Sequence, residues 1–220
     1  MASSNESRPD VEVLGSRARW AQVALLVVVI VDLVAVGSDY AEYQLLGREY
    51  TLDEANANDL RQGLIGIVQF LLLIATAVVF IRWFKRAYEN VEPLGGRRRY
   101  GTGWAIGGWF VPILNLWRPK QIANDIWRAT EDERSDASSL LTLWWVLFLL
   151  SNWISNMGAR LTWSGDTADD LQASAAVYAA ADSIDVAAAI LAIWIVRTVT
   201  RGQTSRAGGA TGDLELAGAA

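Results

Sequence analysis

The run Gly103–Pro119, GWAIGGWFVPILNLWRP, is apolar enough to enter a membrane and too short to cross one comfortably. Gly103, Gly107, Gly108 and Pro112 interrupt it. Proline removes a helical hydrogen bond and glycine weakens a helix, so a regular span is disfavoured here. The run must span, dip in and return, or sit in a soluble core. The rest of the chain chooses between these.

The 220 residues are 52% hydrophobic, and the apolar residues are gathered in blocks rather than spread. Trp20–Gly37 carries Asp32 as its only charge. Leu64–Phe84 carries none before Arg82, and Leu140–Met157 carries none at all. Ala173–Val196 is alanine-rich and carries only Asp182 and Asp185. Each block is close to the ~20 residues needed to cross a hydrocarbon core. Amphipathic striping is weak in all of them, which argues against buried helices of a soluble bundle. The expected spans are about 20–38, 63–84, 139–158 and 173–197. The first block is too long for a signal peptide and holds an Asp, so it reads as a retained helix, with cleavage near Gly37 as the alternative. There is no Cys and no His. That removes disulfides, thiolate nucleophiles, imidazole acid–base chemistry and Cys/His metal sites.

Positive residues mark the cytoplasmic side of short loops. If 103–117 does not cross, all of the 19 Lys and Arg except Arg48, Arg61 and Arg160 fall on one side. The loop 39–61 then lies outside with its six carboxylates, and so do Asp166, Asp169 and Asp170. Charge thus favours four spans with both termini cytoplasmic and 103–117 as a re-entrant or interfacial segment. A five-span chain is the alternative. Irregular backbone at that depth must be buried in protein or line a wet cavity. Trp104, Trp109 and Trp117 suit the interface. Pro119 then sits in the first turn of an amphipathic inner-face helix over 119–133. Ile122, Ala123, Ile126 and Trp127 share one face of it, with Lys120, Asp125 and Arg128 away from that face. The polar ends, 1–16 and 202–220, read as disordered cytoplasmic tails flanking a membrane domain of 17–201.

Trp83, Arg86, Ala87, Tyr88 and Asn90 leave the second block as WFKRAYEN. Gly103, Trp104, Gly107, Trp109, Phe110, Pro112, Asn115 and Leu116 follow, then Pro119, Ile126 and Trp127. This combination resembles the bacterial membrane family known as domain of unknown function 4328 (DUF4328). The resemblance covers about residues 20–200, with its specificity in 83–127. It implies a small multi-pass protein of the bacterial plasma membrane and transfers no activity.

Ionisable groups at membrane depth cost at least ~2.5 kcal/mol and are functional candidates. At about 1.5 Å per residue, Asp32, Gln69, Asn152 and Asp182 fall roughly a third of the way in from the outer face, and Asp185 near the midplane. This is one polar layer shared by four helices, without a basic partner. It could hold a cation or protons, or its members could hydrogen-bond one another and fix packing. Arg97, Arg98 and Arg99 could contact anionic lipid or serve only to set topology. Arg86, Tyr88, Asn90 and Asn115 are expected to satisfy the broken backbone around Pro112. No dinucleotide, P-loop, nucleophile-elbow or zincin motif is present, so no enzyme, metal or cofactor is expected. The expected fold is all-α: four membrane helices, a Pro/Gly-broken segment and an amphipathic inner helix. The leading expectation is a non-catalytic membrane scaffold or partner-binding module. The alternative is a proton- or cation-coupled transporter or channel-like protein. Lipid is the expected partner, with an inner-face protein or a second copy as further candidates and no nucleic acid.

Overall fold

The computed structural model describes residues 9–130, 138–165 and 167–218. In chain order the helices are α1 (Val11–Leu46), α2 (Leu52–Glu89), α3 (Trp104–Phe110), a single 3₁₀ turn (Leu114–Leu116), α4 (Arg118–Arg128), α5 (Ser138–Ser164) and α6 (Ala168–Gly218). Among the described residues there is no strand. The four expected spans lie inside α1, α2, α5 and α6, and these helices are long and apolar enough to cross a membrane. The most apolar 18-residue window of α2 has no buried residue. Leu64, Ile67, Phe70, Leu71, Leu73 and Val78 are all more than half exposed. So large an apolar face is untenable in water and natural against lipid.

Helices α1, α2 and α6 start on side-chain caps. Asp10 accepts the Val13 N–H at 3.1 Å, which begins α1. Thr51 and Glu54 form a reciprocal capping box at α2, with Thr51 N–H donating to Glu54 at 2.8 Å and Glu54 N–H to Thr51 Oγ1 at 3.3 Å. Thr167 and Asp170 do the same at α6, at 3.3 and 3.2 Å. These boxes permit short turns between long helices. Residues 11–16 are helical with Leu14 fully buried, and α6 continues through 202 with Gln203 fully buried; of the expected tails, 1–8 and 219–220 lie outside the described residues.

The chain packs as two compact units. One comprises Met1–Val23, Ala77–Thr142 and Ile193–Ala220, and the other Ala24–Thr76 and Leu143–Ala192. The first has a core of Leu14, Trp83, Phe84, Tyr88, Ile122 and Ile126, all at most 2% exposed. In this unit the segment from Gly103 turns back on itself. Its helix α3 has 7 residues, about 10 Å, far short of a span. Gly108 leaves room for the Arg118 side chain, whose Cγ would lie 3.0 Å from an added Cβ. The Arg118 guanidinium stacks 4.8 Å from Trp104 and 4.0 Å from Tyr100. Further along α4, Gln121 accepts the Tyr100 hydroxyl at 2.8 Å and Asp125 accepts the Arg99 N–H at 3.1 Å. Advancing along α4 therefore retraces the chain backwards from 108 to 99. This is a hairpin, as the charge distribution and Pro112 imply.

The reversal is a γ-turn. Ile113 has φ 69° and ψ −52°, and Leu114 N–H donates to Pro112 O at 2.8 Å. This mirror form is rare and strained, and a β-branched residue suits it badly. Asn115 N–H then donates to Val111 O at 3.0 Å, and Leu116 and Trp117 N–H to Ile113 and Leu114 O at 3.1 and 3.2 Å. The broken backbone thus satisfies itself. Arg86, Tyr88 and Asn90, expected to supply that service, bond elsewhere. The C-terminal end of α4 is at Arg128, and residues 131–133 of the expected inner helix lie outside the described residues.

The hairpin predicts that Arg97 and Arg128 lie on the same side of a membrane. Single cysteines at these positions, in a chain with no native Cys, should react with an impermeant thiol reagent from one side only, the same for both. Labelling from opposite sides contradicts the hairpin. Ile113 is 67% exposed, so Ile113→Gly loses little packing and relieves a left-handed backbone costing ~1–2 kcal/mol. The thermal midpoint in detergent should rise; a fall would show that the turn stores no strain.

Candidate functional site

The unit formed by Ala24–Thr76 and Leu143–Ala192 contains the expected polar layer. The Gln69 amide on α2 donates to Asp32 Oδ1 on α1 at 3.1 Å and to Asp182 Oδ2 on α6 at 3.2 Å. Both amide hydrogens are used. Asp32 is 5% exposed, and its Oδ2 has no hydrogen-bond partner. The fourth helix contributes Ser151 rather than Asn152. Ser151 is buried, with Oγ 3.0 Å from Asp185 Oδ1 and 3.0 Å from Phe148 O. Asn152 is exposed and turns its amide back to Phe148 O at 2.7 Å. One residue is about 100° around a helix, which separates the two. Buried Leu141 and Trp144 stand ten and seven residues before Ser151, so the apolar phase of α5 points to Ser151.

Ser151 owns one hydrogen, which it can donate to Asp185 Oδ1 or to Phe148 O. Among the described residues no three Asp or Glu side chains converge closely enough to hold a metal ion. The arrangement can hold protons.

A second polar layer lies two helical turns along, about 10 Å away. Asp39 and Gln62 stand seven residues from Asp32 and Gln69. Gln62 donates to Asp39 Oδ1 at 3.0 Å and to Glu42, and accepts the Ser38 hydroxyl at 2.6 Å. Arg61 donates to Ser38 Oγ at 2.9 Å and to Asn58 Oδ1 at 2.6 Å. Asp39 is 6% exposed, and its Oδ2 has no hydrogen-bond partner. Sequence reading missed this layer because it took 39–61 as a loop, whereas α1 runs to Leu46 and α2 begins at Leu52.

In the other unit the signature residues build structure. Trp83 Nε1 donates to Thr200 Oγ1 at 3.1 Å, tying α2 to α6. Trp109 packs edge-on against Phe80 and Phe84, with centroids 5.9 and 5.6 Å away. Trp127 stacks on Trp194 at 5.6 Å. Tyr88 Oη donates to Tyr100 O and accepts from Tyr100 N–H, both at 3.0 Å. Asn90 accepts the Asp10 N–H and donates to Gln203, both at 3.2 Å. Arg86 pairs with Glu89 at 3.3 Å and Asp10 at 3.6 Å. Pro119 is buried in the first turn of α4, as expected. A Cβ on Gly107 would meet only ordinary contact with Trp104, at 3.9 Å. Asn115 is half-buried beside the turn.

Asp125 is the residue that helix-face reasoning misplaced. It was expected to point away from the apolar face, and it is 3% exposed. Its carboxyl accepts the Arg99 N–H at 3.1 Å and the Arg99 Nε at 3.2 Å, with Arg128 at 3.7 Å. Burial pushes its pKa up, against the Arg99 N–H and the two guanidinium groups. A carboxyl whose folded value lies above its unfolded value contributes most below the unfolded value. That contribution is lost as pH rises through the folded value. Asp125→Ala leaves a buried N–H without its acceptor and should cost about 1–3 kcal/mol in chemical denaturation. Asp125→Asn, which keeps an acceptor, should cost less. The wild type should lose stability relative to Asn as pH rises through the carboxylate range; an unchanging difference contradicts the burial account.

No curated protein and no solved structure matches this chain. The family described as domain of unknown function DUF4328 matches residues 47–201. That span holds Gln69, Asp182, Asp185 and the whole hairpin, while Asp32 lies before it, so the match starts later than the expected residue 20. With most of its length matched, the chain belongs to the DUF4328 family.

Proposed function

We propose that this protein is a non-catalytic membrane module whose working part is a proton-binding carboxylate layer, acting as a proton-coupled transporter or channel-like protein. The observation that carries this is that Gln69 joins Asp32 and Asp182 while Ser151 bonds Asp185 in the same unit, with no basic side chain among their hydrogen-bond partners. Packing alone would be served by amides and hydroxyls. Three carboxyls at membrane depth are costly, and groups of that kind mark ion or proton pathways. The lack of a three-carboxylate metal cage among the described residues favours protons over a metal cation. The second layer supports the reading as well, since Asp39, Glu42 and Gln62 continue the polar groups along α1 and α2.

A second reading, a scaffold that holds a partner, is favoured by the signature residues, whose side chains are used for packing and internal hydrogen bonds. The surface first expected to receive that partner is largely unavailable. On α4, Pro119, Ile122, Ala123, Asp125, Ile126 and Trp127 are all buried.

Proteoliposomes with a pH-sensitive dye inside separate the two. Under an imposed potential the wild type should move protons, and Asp185→Asn and Asp32→Asn should each reduce the rate at least about tenfold. A wild type no faster than empty liposomes sinks the proton reading and leaves the scaffold.

A further inference from the structure

The basic run 97–99 does not trail into solvent. Together with Arg128 at the end of α4 it borders a cleft of about 480 Å³, floored by Gly96 and Ala129. The backbone beneath the arginines is fixed from both sides. Gly96 N–H donates to Val91 O at 2.8 Å, and there is no room for a side chain, since an added Cβ would lie 2.7 Å from the Ala129 Cβ. Tyr88 clamps Tyr100 by its N–H and its carbonyl, and Asp125 holds the Arg99 N–H. Arg206 caps the Ala129 carbonyl at 3.0 Å.

The charges in this cleft do not cancel. Four guanidinium groups border it and Asp125 is its one carboxylate. Asp125 is already engaged by Arg99 and Arg128, and Arg98 is paired with Glu92 outside the lining. Arg97 and Arg128 remain exposed at the rim. Fixed guanidinium forks suit the oxygens of a phosphate group. The apolar tip of the same hairpin carries Phe110 at 70% and Ile113 at 67% exposure. Arg128 stands ten residues along α4 from Arg118, about 15 Å from that end. With the tip in hydrocarbon, that distance puts the cleft at headgroup level.

We propose that the cleft bounded by Arg97, Arg98, Arg99 and Arg128 is a binding site for a phosphate group, borne by an anionic phospholipid or by a soluble phosphate. The basic run acts here with an arginine some thirty residues later in the chain, and Asp125 positions Arg99 rather than competing with the ligand.

The full chain in detergent, titrated with short-chain phosphatidylglycerol and read by native mass spectrometry, tests this. The wild type should bind phosphatidylglycerol at least about tenfold tighter than phosphatidylcholine of the same chain length. Arg97→Ala with Arg128→Ala should weaken it about 30-fold, roughly fivefold per arginine. Arg97→Ala alone, at an exposed position, gives the fivefold step should the pair disturb folding. Inorganic phosphate at millimolar concentration distinguishes the sources: displacement identifies phosphate itself, and resistance identifies the lipid-borne group. Equal binding of both lipids, or phosphatidylglycerol binding unchanged in Arg97→Ala, overturns the proposal.

Discussion

The amide of Gln69 gives one hydrogen to Asp32 and the other to Asp182. In water such bonds are worth little, because solvent competes for every partner. In hydrocarbon there is no competitor, and an unpartnered carboxyl is costly. Apolar helices in lipid have no hydrophobic drive to associate, so shared polar groups and close packing set their register. α1, α2 and α6 are tied through Gln69, and α5 joins by Ser151 on Asp185. The same need for internal partners governs the hairpin, whose γ-turn bonds its own N–H groups where Pro112 stops the helix.

The two compact units use polarity differently. Trp83, Tyr88 and Asn90 bond to backbone or to uncharged side chains, and Arg86 pairs with Glu89 and Asp10, so these groups pin elements in place. Around Asp32, Asp182 and Asp185, acids accept from an amide and a hydroxyl, with no basic side chain among those partners. That difference is why the family signature explains the fold, while the chemistry is sought in acids outside the signature.

Much of the fold was legible in the residues. Block hydropathy located the four long apolar helices, and charge with Pro112 identified the segment that returns. The losses have a common cause, which is that hydropathy marks the part of a helix in lipid and says nothing of how far the helix extends. Asp39, Glu42 and Gln62 looked like a loop because they are polar, although the capping box at Thr51 and Glu54 starts α2 well before its apolar stretch. Asp125 looked like surface because charged residues usually are, and its main partners come from Arg99, which the hairpin brings alongside α4. Asn152 was taken for its polarity, whereas the apolar phase of α5 selects Ser151.

The central proposal is that the carboxyl layer of Asp32, Asp182 and Asp185 binds a proton. Infrared spectroscopy of the reconstituted protein tests it directly, because a protonated carboxyl absorbs apart from a carboxylate and from the amide bands. The account predicts a protonated carboxyl band at neutral pH that shifts in heavy water and is lost or displaced in Asp32→Asn and Asp185→Asn. A spectrum showing only carboxylate at neutral pH, unchanged in its carboxyl region by either substitution, would contradict it.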